Sequence, residues 1–424
     1  MNRTREILLT ALALFSLFFG AGNLILPPLL GYTAAGSWWL VGLGFCLSAV
    51  LIPILGILAH ARLQGTMFDF ASTVSPRFSM VYCYLVYAIS ISLPSPRTAA
   101  VTHEMGVMPL IDTSPLATSI IYFSLVFLFV INRGWILDVI GKFLSPAILL
   151  VLVGIIGVSI FQLPFEFDVS GFSNPISSGI LEGYQTFDAI GAVVVGGVII
   201  ISINIKENEM AYSIKKKIIA RAGWLAGMGL FLVYSCLILT GALFHGQFSE
   251  DISRTALLSR ISLATLGNSA NFLLSILVSL ACFTTAVGIV TGTADFVKSR
   301  YPKKQNAFLL TAILGCFLGI LMGQFEVGYI IAVALPPLMF IYPITIVLIL
   351  LNVLPTGLTS PRIFKFVVLT TIVFSVPDFL GSLGMELSWW AWIPLSSSKM
   401  GWVIPSVLVF LILLIFKHNP REKK

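Results

Sequence analysis

Charge is what this 424-residue sequence has least of: Asp, Glu, Lys and Arg together make up 10% of it, where soluble domains carry about 25%. A chain so poor in charge cannot hydrate its whole surface, which excludes an ordinary soluble globular protein. Histidine is scarcer still. His60, His103, His245 and His418 sit at the edges or tails of apolar runs, and none has metal-ligand spacing with a cysteine or another histidine. A membrane-embedded hydrolase would need a Ser/His/Asp, paired-Asp or His-rich metal set, and these positions do not assemble one, so no enzyme and no organic cofactor are expected. The five cysteines, Cys46, Cys83, Cys236, Cys282 and Cys316, all fall inside apolar runs and read as packing residues, not as a disulfide framework. There is no Walker motif to couple ATP directly, and no filter sequence or charged ring of a channel. Gly/Pro/Ser linkers and low-complexity tracts are missing too, so residues 1–424 read as one membrane domain with no obligate protein partner indicated.

What is present in abundance is apolar sequence: 58% of the residues are hydrophobic, and the mean hydropathy is +1.00. Apolar runs of about 20 residues, the length a bilayer core of about 30 Å requires, recur throughout. They place helices at roughly 7–30, 36–60, 79–100, 116–132, 137–163, 179–204, 221–245, 262–298, 307–323, 327–351, 363–381 and 400–416. The fold expected is all-α and membrane-spanning, with 12 transmembrane helices. The first run is too long, and too well matched by later ones, to read as a cleaved signal peptide.

The net charge of +7 raises the question of nucleic acid, and the location of the charges answers it. With the N-terminus inside, 21 of the 25 Lys and Arg residues fall on the cytoplasmic side of these spans. Only Arg97, Arg254, Arg260 and Lys399 fall outside. One missed helix would scramble that alternation, so both termini are expected in the cytoplasm. The basic excess is a topology signal with membrane lipid as its partner, not a nucleic-acid site.

Most spans are bland, and the exceptions carry the functional reading. The first contains Phe18-Phe19-Gly20-Ala21-Gly22-Asn23-Leu24, then Pro27-Pro28. Two glycines around an alanine weaken a helix, and Asn23 competes for its backbone hydrogen bonds. Unwound backbone at bilayer depth persists where it is buried in protein or lines a cavity. The other reading of the same residues is a small-residue packing face. The sixth span contains Gly183 to Gly191 with Thr186, Phe187 and Asp188, the one acid placed well inside the membrane. An ionisable group there is a functional-site hypothesis, against a structural hydrogen bond in an external vestibule. Interrupted helices one and six each begin a group of five, which points to a transporter built from inverted repeats, 7–163 and 179–351, with 363–416 accessory. Span eight adds Ala281-Cys282-Phe283-Thr284-Thr285. Adjacent hydroxyls commonly bond back to their own turn, but they are also oxygen ligands of the kind a hard cation takes.

Phe19-Gly20-Ala21-Gly22-Asn23-Leu24-Ile25 with Pro27-Pro28 resembles the signature of the bacterial branched-chain amino-acid:cation symporters, within the amino acid–polyamine–organocation group. Pro96-Arg97-Thr98-Ala99 with Glu104, Gly141 to Pro146, and Gly183 to Asp188 fit the same pattern. Leu26 stands where the pattern has Phe. The resemblance implies a leucine-transporter-like 5+5 inverted repeat plus two accessory helices, in a bacterial cytoplasmic membrane. It implies uptake of leucine, isoleucine and valine coupled to Na⁺. Gly20, Ala21, Gly22 and Asn23 would be the unwound part of helix one, facing the substrate carboxylate, and Thr186 and Phe187 would face the ammonium. The Na⁺ ligands would be the Ser16, Phe19 and Ala281 carbonyls with the Thr284 and Thr285 hydroxyls. Asp188 is open between pairing with Arg97, holding the ammonium and supporting a second cation, and a proton-coupled carrier or exchanger stays open beside the sodium symporter. Phe18, Phe187 and Phe283 are candidates for an apolar pocket wall.

Overall fold

In the computed structural model, residues 3–132, 136–167, 172–194, 196, 212–301, 304, 306–355, 357–385 and 390–418 are described, and the secondary structure among them is helical. The end of the expected sixth span beyond 196, the side chains of 136–145 with most of the Gly141–Pro146 motif, and the basic residues Arg133, Lys206, Lys303, Arg421, Lys423 and Lys424 lie outside the described residues. In chain order the helices are α1 (Arg3–Phe18), α2 (Ala21–Ala34), α3 (Trp38–Cys46), α4 (Ile52–Leu63), α5 (Met67–Ser72), α6 (Pro76–Ser92), α7 (Pro94–Val101), α8 (Pro115–Ile131) and α9 (Ile136–Gln162). They continue with α10 (Pro175–Tyr184), α11 (188–194), α12 (Tyr212–Leu243), α13 (Arg254–Arg300), α14 (Ala307–Gly323), α15 (Val327–Val353), α16 (Pro361–Ser382) and α17 (Val403–His418). A π turn over Leu47–Leu51 joins α3 to α4, and a second over Thr102–Val107 extends α7.

Several helix starts are written into the sequence. Ser75, Ser114 and Ser360 each precede a proline, and each side chain accepts from the amide three residues on, Phe78, Ala117 and Ile363. Serine satisfies one of the free N–H groups of the first turn, and proline at the first helical position has none to satisfy. Among the described residues, six stretches are long and apolar enough to cross a bilayer: Gly22–Leu63, Pro76–Val107, Ile214–Leu243, Arg254–Arg300, Val327–Val353 and Pro361–Ser382. Shorter apolar helices accompany them at Pro115–Ile131, Pro146–Gln162, Ala307–Gly323 and Val403–Phe416. The outward-facing side chains on these helices include Phe161, 91% exposed, and Leu150, 75% exposed. Apolar faces of this kind fit lipid, where they cost nothing, and not water.

Inside the bundle, close backbone approach replaces the hydrophobic drive that lipid removes. A Cβ on Gly31 of α2 would strike the Ile238 carbonyl of α12, and one on Gly241 of α12 would strike the Pro28 carbonyl of α2. The same reciprocity joins α3 and α10, with Gly44 against the Ile176 carbonyl and Gly179 against that of Val41. The buried apolar residues form two clusters, one including Phe18, Leu24 and Tyr234, the other Tyr184, Phe187 and Tyr342.

Several spans depart from the sequence expectation, and the seventh begins at Tyr212, not 221. The third is broken at Leu93 (φ −123°, ψ −67°), between α6 and α7; Pro94 and Pro96 withhold the amides that would carry the helix through. The eighth starts at Arg254, not 262, and bends at Gly267, whose φ of 79° and ψ of −173° suit glycine alone. In the first, the helix resumes at Ala21, so the break is confined to Phe19 and Gly20; Ala21, Gly22 and Asn23 form the opening turn of α2.

Candidate functional site

The break in helix one is short because one side chain spans it. Asn23 sends Nδ2 back to the carbonyl of Phe18, the last residue of α1, at 2.5 Å. Gly20 is extended (φ −92°, ψ 175°), and its amide bonds to the Phe18 carbonyl at 2.9 Å while its carbonyl accepts from the Asn23 amide at 3.1 Å. These local bonds let the helix restart at once. Helix geometry leaves the first amides of α2, those of Ala21 and Gly22, without intrahelical carbonyls, and the dipole makes that end attractive to an anion.

Helix six is interrupted beside it. α10 ends at Tyr184, Gln185 and Thr186 turn, and Phe187 takes a left-handed φ of 62°. That conformation is strained for an aromatic residue and marks a position held by its surroundings. Asp188 then opens α11, where the helix dipole favours a carboxylate, and its amide donates to the Thr186 hydroxyl at 3.2 Å. The two breaks meet directly. Asn23 Nδ2 lies 3.0 and 2.8 Å from the two Asp188 carboxylate oxygens and 2.5 Å from the Tyr234 hydroxyl of α12. Asn23, Asp188 and Tyr234 are all buried. Asp188 is therefore held by Asn23; Arg97 directs Nη1 elsewhere, to the Gln185 carbonyl at 2.7 Å, with its guanidinium 5.5 Å from the Phe187 ring centre.

On α13, the Thr284 and Thr285 hydroxyls both donate to the Ala281 carbonyl, at 3.0 and 2.8 Å. This is the back-bonded arrangement expected of hydroxyls in an apolar helix, and it also gathers three oxygens within one turn. They adjoin the break in helix one: a Cβ on Gly20 would lie 3.7 Å from Thr285 Oγ1.

A cavity of about 760 Å³ runs through this region. Ser16, Gly20, Gly22, Asn23, Thr186, Phe187, Asp188, Thr284 and Thr285 all line it, and so does Arg97. Most of the sequence-derived site is thus brought together around one space. Phe18 and Phe187 belong to its wall, but Phe283 does not: it packs edge-on against Tyr122 and Phe129, with ring centres 5.9 and 5.1 Å away. Residues 283 and 284 point to different sides of one helix, which adjacency in sequence conceals.

Sequence reasoning missed Tyr234, which carries no signal beyond a hydroxyl in an apolar run, and the part played by the Gln185 carbonyl. It also treated Asp188 as the sole interior acid, whereas Asp378 of α16 is buried too, accepting from the Gly401 amide at 3.2 Å. Glu104 sits away from the cavity, accepting from the Val327 amide at 2.8 Å and from the Thr255 hydroxyl.

Two facing interrupted helices with a cavity between them fit a leucine-transporter-like fold, and comparison with solved structures supports that fold. The chain is similar to Mhp1, a nucleobase-cation-symport-1 family transporter in a closed conformation with bromovinylhydantoin bound, with a TM-score of 0.63 and 15% identity over 96% of this chain and 91% of that one. It is similar also to MhsT in complex with L-phenylalanine, with a TM-score of 0.57 and 14% identity over 97% of each chain. The family model described as "Branched-chain amino acid transport protein" matches residues 3–420, and the chain belongs to that family. Relatives include the branched-chain amino acid transport system 2 carrier protein of Pseudomonas aeruginosa, 32% identical over 98% of each chain. The branched-chain amino acid permease BrnQ of Escherichia coli is 28% identical over 98% of this chain and 96% of that one. The protein is accordingly a multi-pass membrane transporter and not an enzyme.

Proposed function

We propose that the protein imports leucine, isoleucine and valine across a bacterial cytoplasmic membrane in symport with Na⁺, by alternating access. The observation that carries the reading is the meeting of the two helix breaks, through Asn23 and Asp188, on a cavity that also holds Thr284 and Thr285. The names of the relatives supply the substrate class. In this reading the chain is one domain of 12 spans, two inverted groups of five (7–163 and 179–351) and an accessory pair, with both termini cytoplasmic.

The free amides of Ala21 and Gly22 receive the substrate carboxylate, and the region of Thr186, Phe187 and Asp188 faces the ammonium. The Ala281 carbonyl and the two hydroxyls form a neutral, all-oxygen donor set of the kind a hard cation takes. The carbonyls of Ser16 and Phe19, across the break, complete it for Na⁺. Binding there replaces the internal hydrogen bonds of Thr284 and Thr285 and ties α13 to the end of α1. That ordering lowers the cost of binding substrate, and by linkage substrate tightens Na⁺ equally. The cavity extends along Leu9, Leu12 and Ala13 of α1 and Gly288, Gly292 and Thr293 of α13, the side the charge distribution assigns to the cytoplasm, so the conformation is read as open inward.

The test is leucine uptake into proteoliposomes under imposed gradients. Accumulation driven by Na⁺ without a pH gradient is expected; uptake indifferent to Na⁺ but driven by a pH gradient would replace this reading with a proton-coupled one centred on Asp188.

A further inference from the structure

Arg97, which the charge count assigns to the external side of its span, is a buried cation on the cavity wall with most of its hydrogen-bonding capacity unused. It is 6% exposed, and among the described residues its one hydrogen bond is from Nη1 to the Gln185 carbonyl, at 2.7 Å. A guanidinium carries five N–H donors in a rigid planar fork. The remaining donors are not sealed inside the protein; they reach the cavity, where a bound group can accept from them. Their surroundings are specific. A Cβ on Gly22 would overlap Nη2, so the Nη2 end of the guanidinium abuts the first turn of α2. The guanidinium carbon also lies over the Phe187 ring, 5.5 Å from its centre. Arg97 and Gly22 both line the cavity.

Two anion-attracting features therefore converge on one spot: the amide end of α2, a helix of 14 residues, and a buried, nearly unpartnered guanidinium pressed against that same turn. From this convergence we propose that Arg97 is a substrate-binding residue, whose Nε and Nη2 side takes the α-carboxylate of the amino acid together with the α2 amides. The carboxyl group of Asp188 lines the same cavity. It accepts from Asn23, and a carboxylate has lone pairs to spare for an ammonium. The site thus offers one group for each end of a zwitterion. It selects molecules carrying both an α-carboxylate and an α-ammonium, whatever apolar side chain fills the rest. The break at Leu93 lies just before this position: Arg97 is in the first turn of α7, the helix that restarts after it, and lines the cavity.

The inference rests on the transport function proposed above, and its test separates the two. In proteoliposomes holding the full chain, competition with labelled leucine is measured for leucine and for leucinol, which keeps the ammonium and side chain but replaces the carboxylate with an alcohol. Arg97→Gln is expected to weaken leucine by about ten- to hundredfold, the loss of one or two charge-assisted hydrogen bonds. Leucinol, having no carboxylate to lose, should change by less than about threefold, so the preference for leucine collapses. Arg97→Lys keeps the charge without the fork and should give an intermediate loss for leucine alone; it also serves where the Gln variant does not fold. If both competitors weaken in parallel, Arg97 is a structural residue and the proposal is wrong. An unchanged leucine affinity in either variant overturns it equally. Failure of the unaltered protein to bind leucine at all would instead overturn the transport reading.

Discussion

Replacing Asn23 with alanine removes a single amide that serves both interrupted helices. Its Nδ2 has two protons and four oxygen neighbours: the Phe18 carbonyl at 2.5 Å, the Asp188 oxygens at 3.0 and 2.8 Å, and the Tyr234 hydroxyl at 2.5 Å. At most two full hydrogen bonds are lost, one of them to a buried carboxylate. A hydrogen bond to a charged group contributes about 1.5–3 kcal/mol, and stranding a buried charge costs about 3–5 kcal/mol. Asn23→Ala should therefore cost the fold about 3–5 kcal/mol and lower the thermal midpoint of the protein in lipid nanodiscs. Most of that cost comes from the abandoned carboxylate, so it depends on Asp188 being charged. Asp188→Asn in the same chain removes the charge and should recover about 1–3 kcal/mol of the loss, a non-additivity that a double-mutant cycle measures. Additive effects of the two substitutions would show that the Asn23–Asp188 contact does not hold the breaks together, and the geometric argument for the site would fall with it.

Three further outcomes are expected. Thr284→Ala combined with Thr285→Ala should weaken Na⁺-dependent uptake while expression stays near normal, because small residues pack well in bilayers; unchanged sodium dependence would show the hydroxyls only bond back to Ala281. Gly241→Ala should destabilise by about 1–3 kcal/mol, since its Cβ meets the backbone carbonyl of Pro28 and α2 and α12 must part to admit it; a wild-type thermal midpoint would refute that contact. Gly292→Cys has open space for its side chain and lines the cavity. It should react with a membrane-impermeant thiol reagent in inside-out vesicles and not in right-side-out ones, and the reverse pattern would invert the topology.

The parts of this structure legible in the sequence are those governed by local rules. Apolar length, the bias of Lys and Arg, and Ser-Pro at helix starts are properties of a few neighbouring residues, and the helices at Pro115–Ile131, Ala307–Gly323 and Val327–Val353 fall close to where those rules put them. The weak points at Gly20 and Asp188 were readable because small or ionisable residues at bilayer depth demand a reason. The prolines at 94 and 96 gave an equally plain signal of a break, one that a search for apolar runs passes over.

What sequence alone determined is the solvent of this protein and the places where its chain is at odds with that solvent. Lipid offers no hydrogen bonds, so every polar group in an apolar run had to find a partner within the fold, and composition suffices to say so. Which partner it finds depends on residues far apart in the chain reaching the same few ångströms. Only the tertiary structure could join Asn23 to Asp188 and Tyr234, give the Gln185 carbonyl to Arg97, and turn Phe283 away from the cavity that Thr284 faces. Hydrophobicity is a property of each residue separately. Hydrogen bonds are properties of pairs, and the pairs are made by packing.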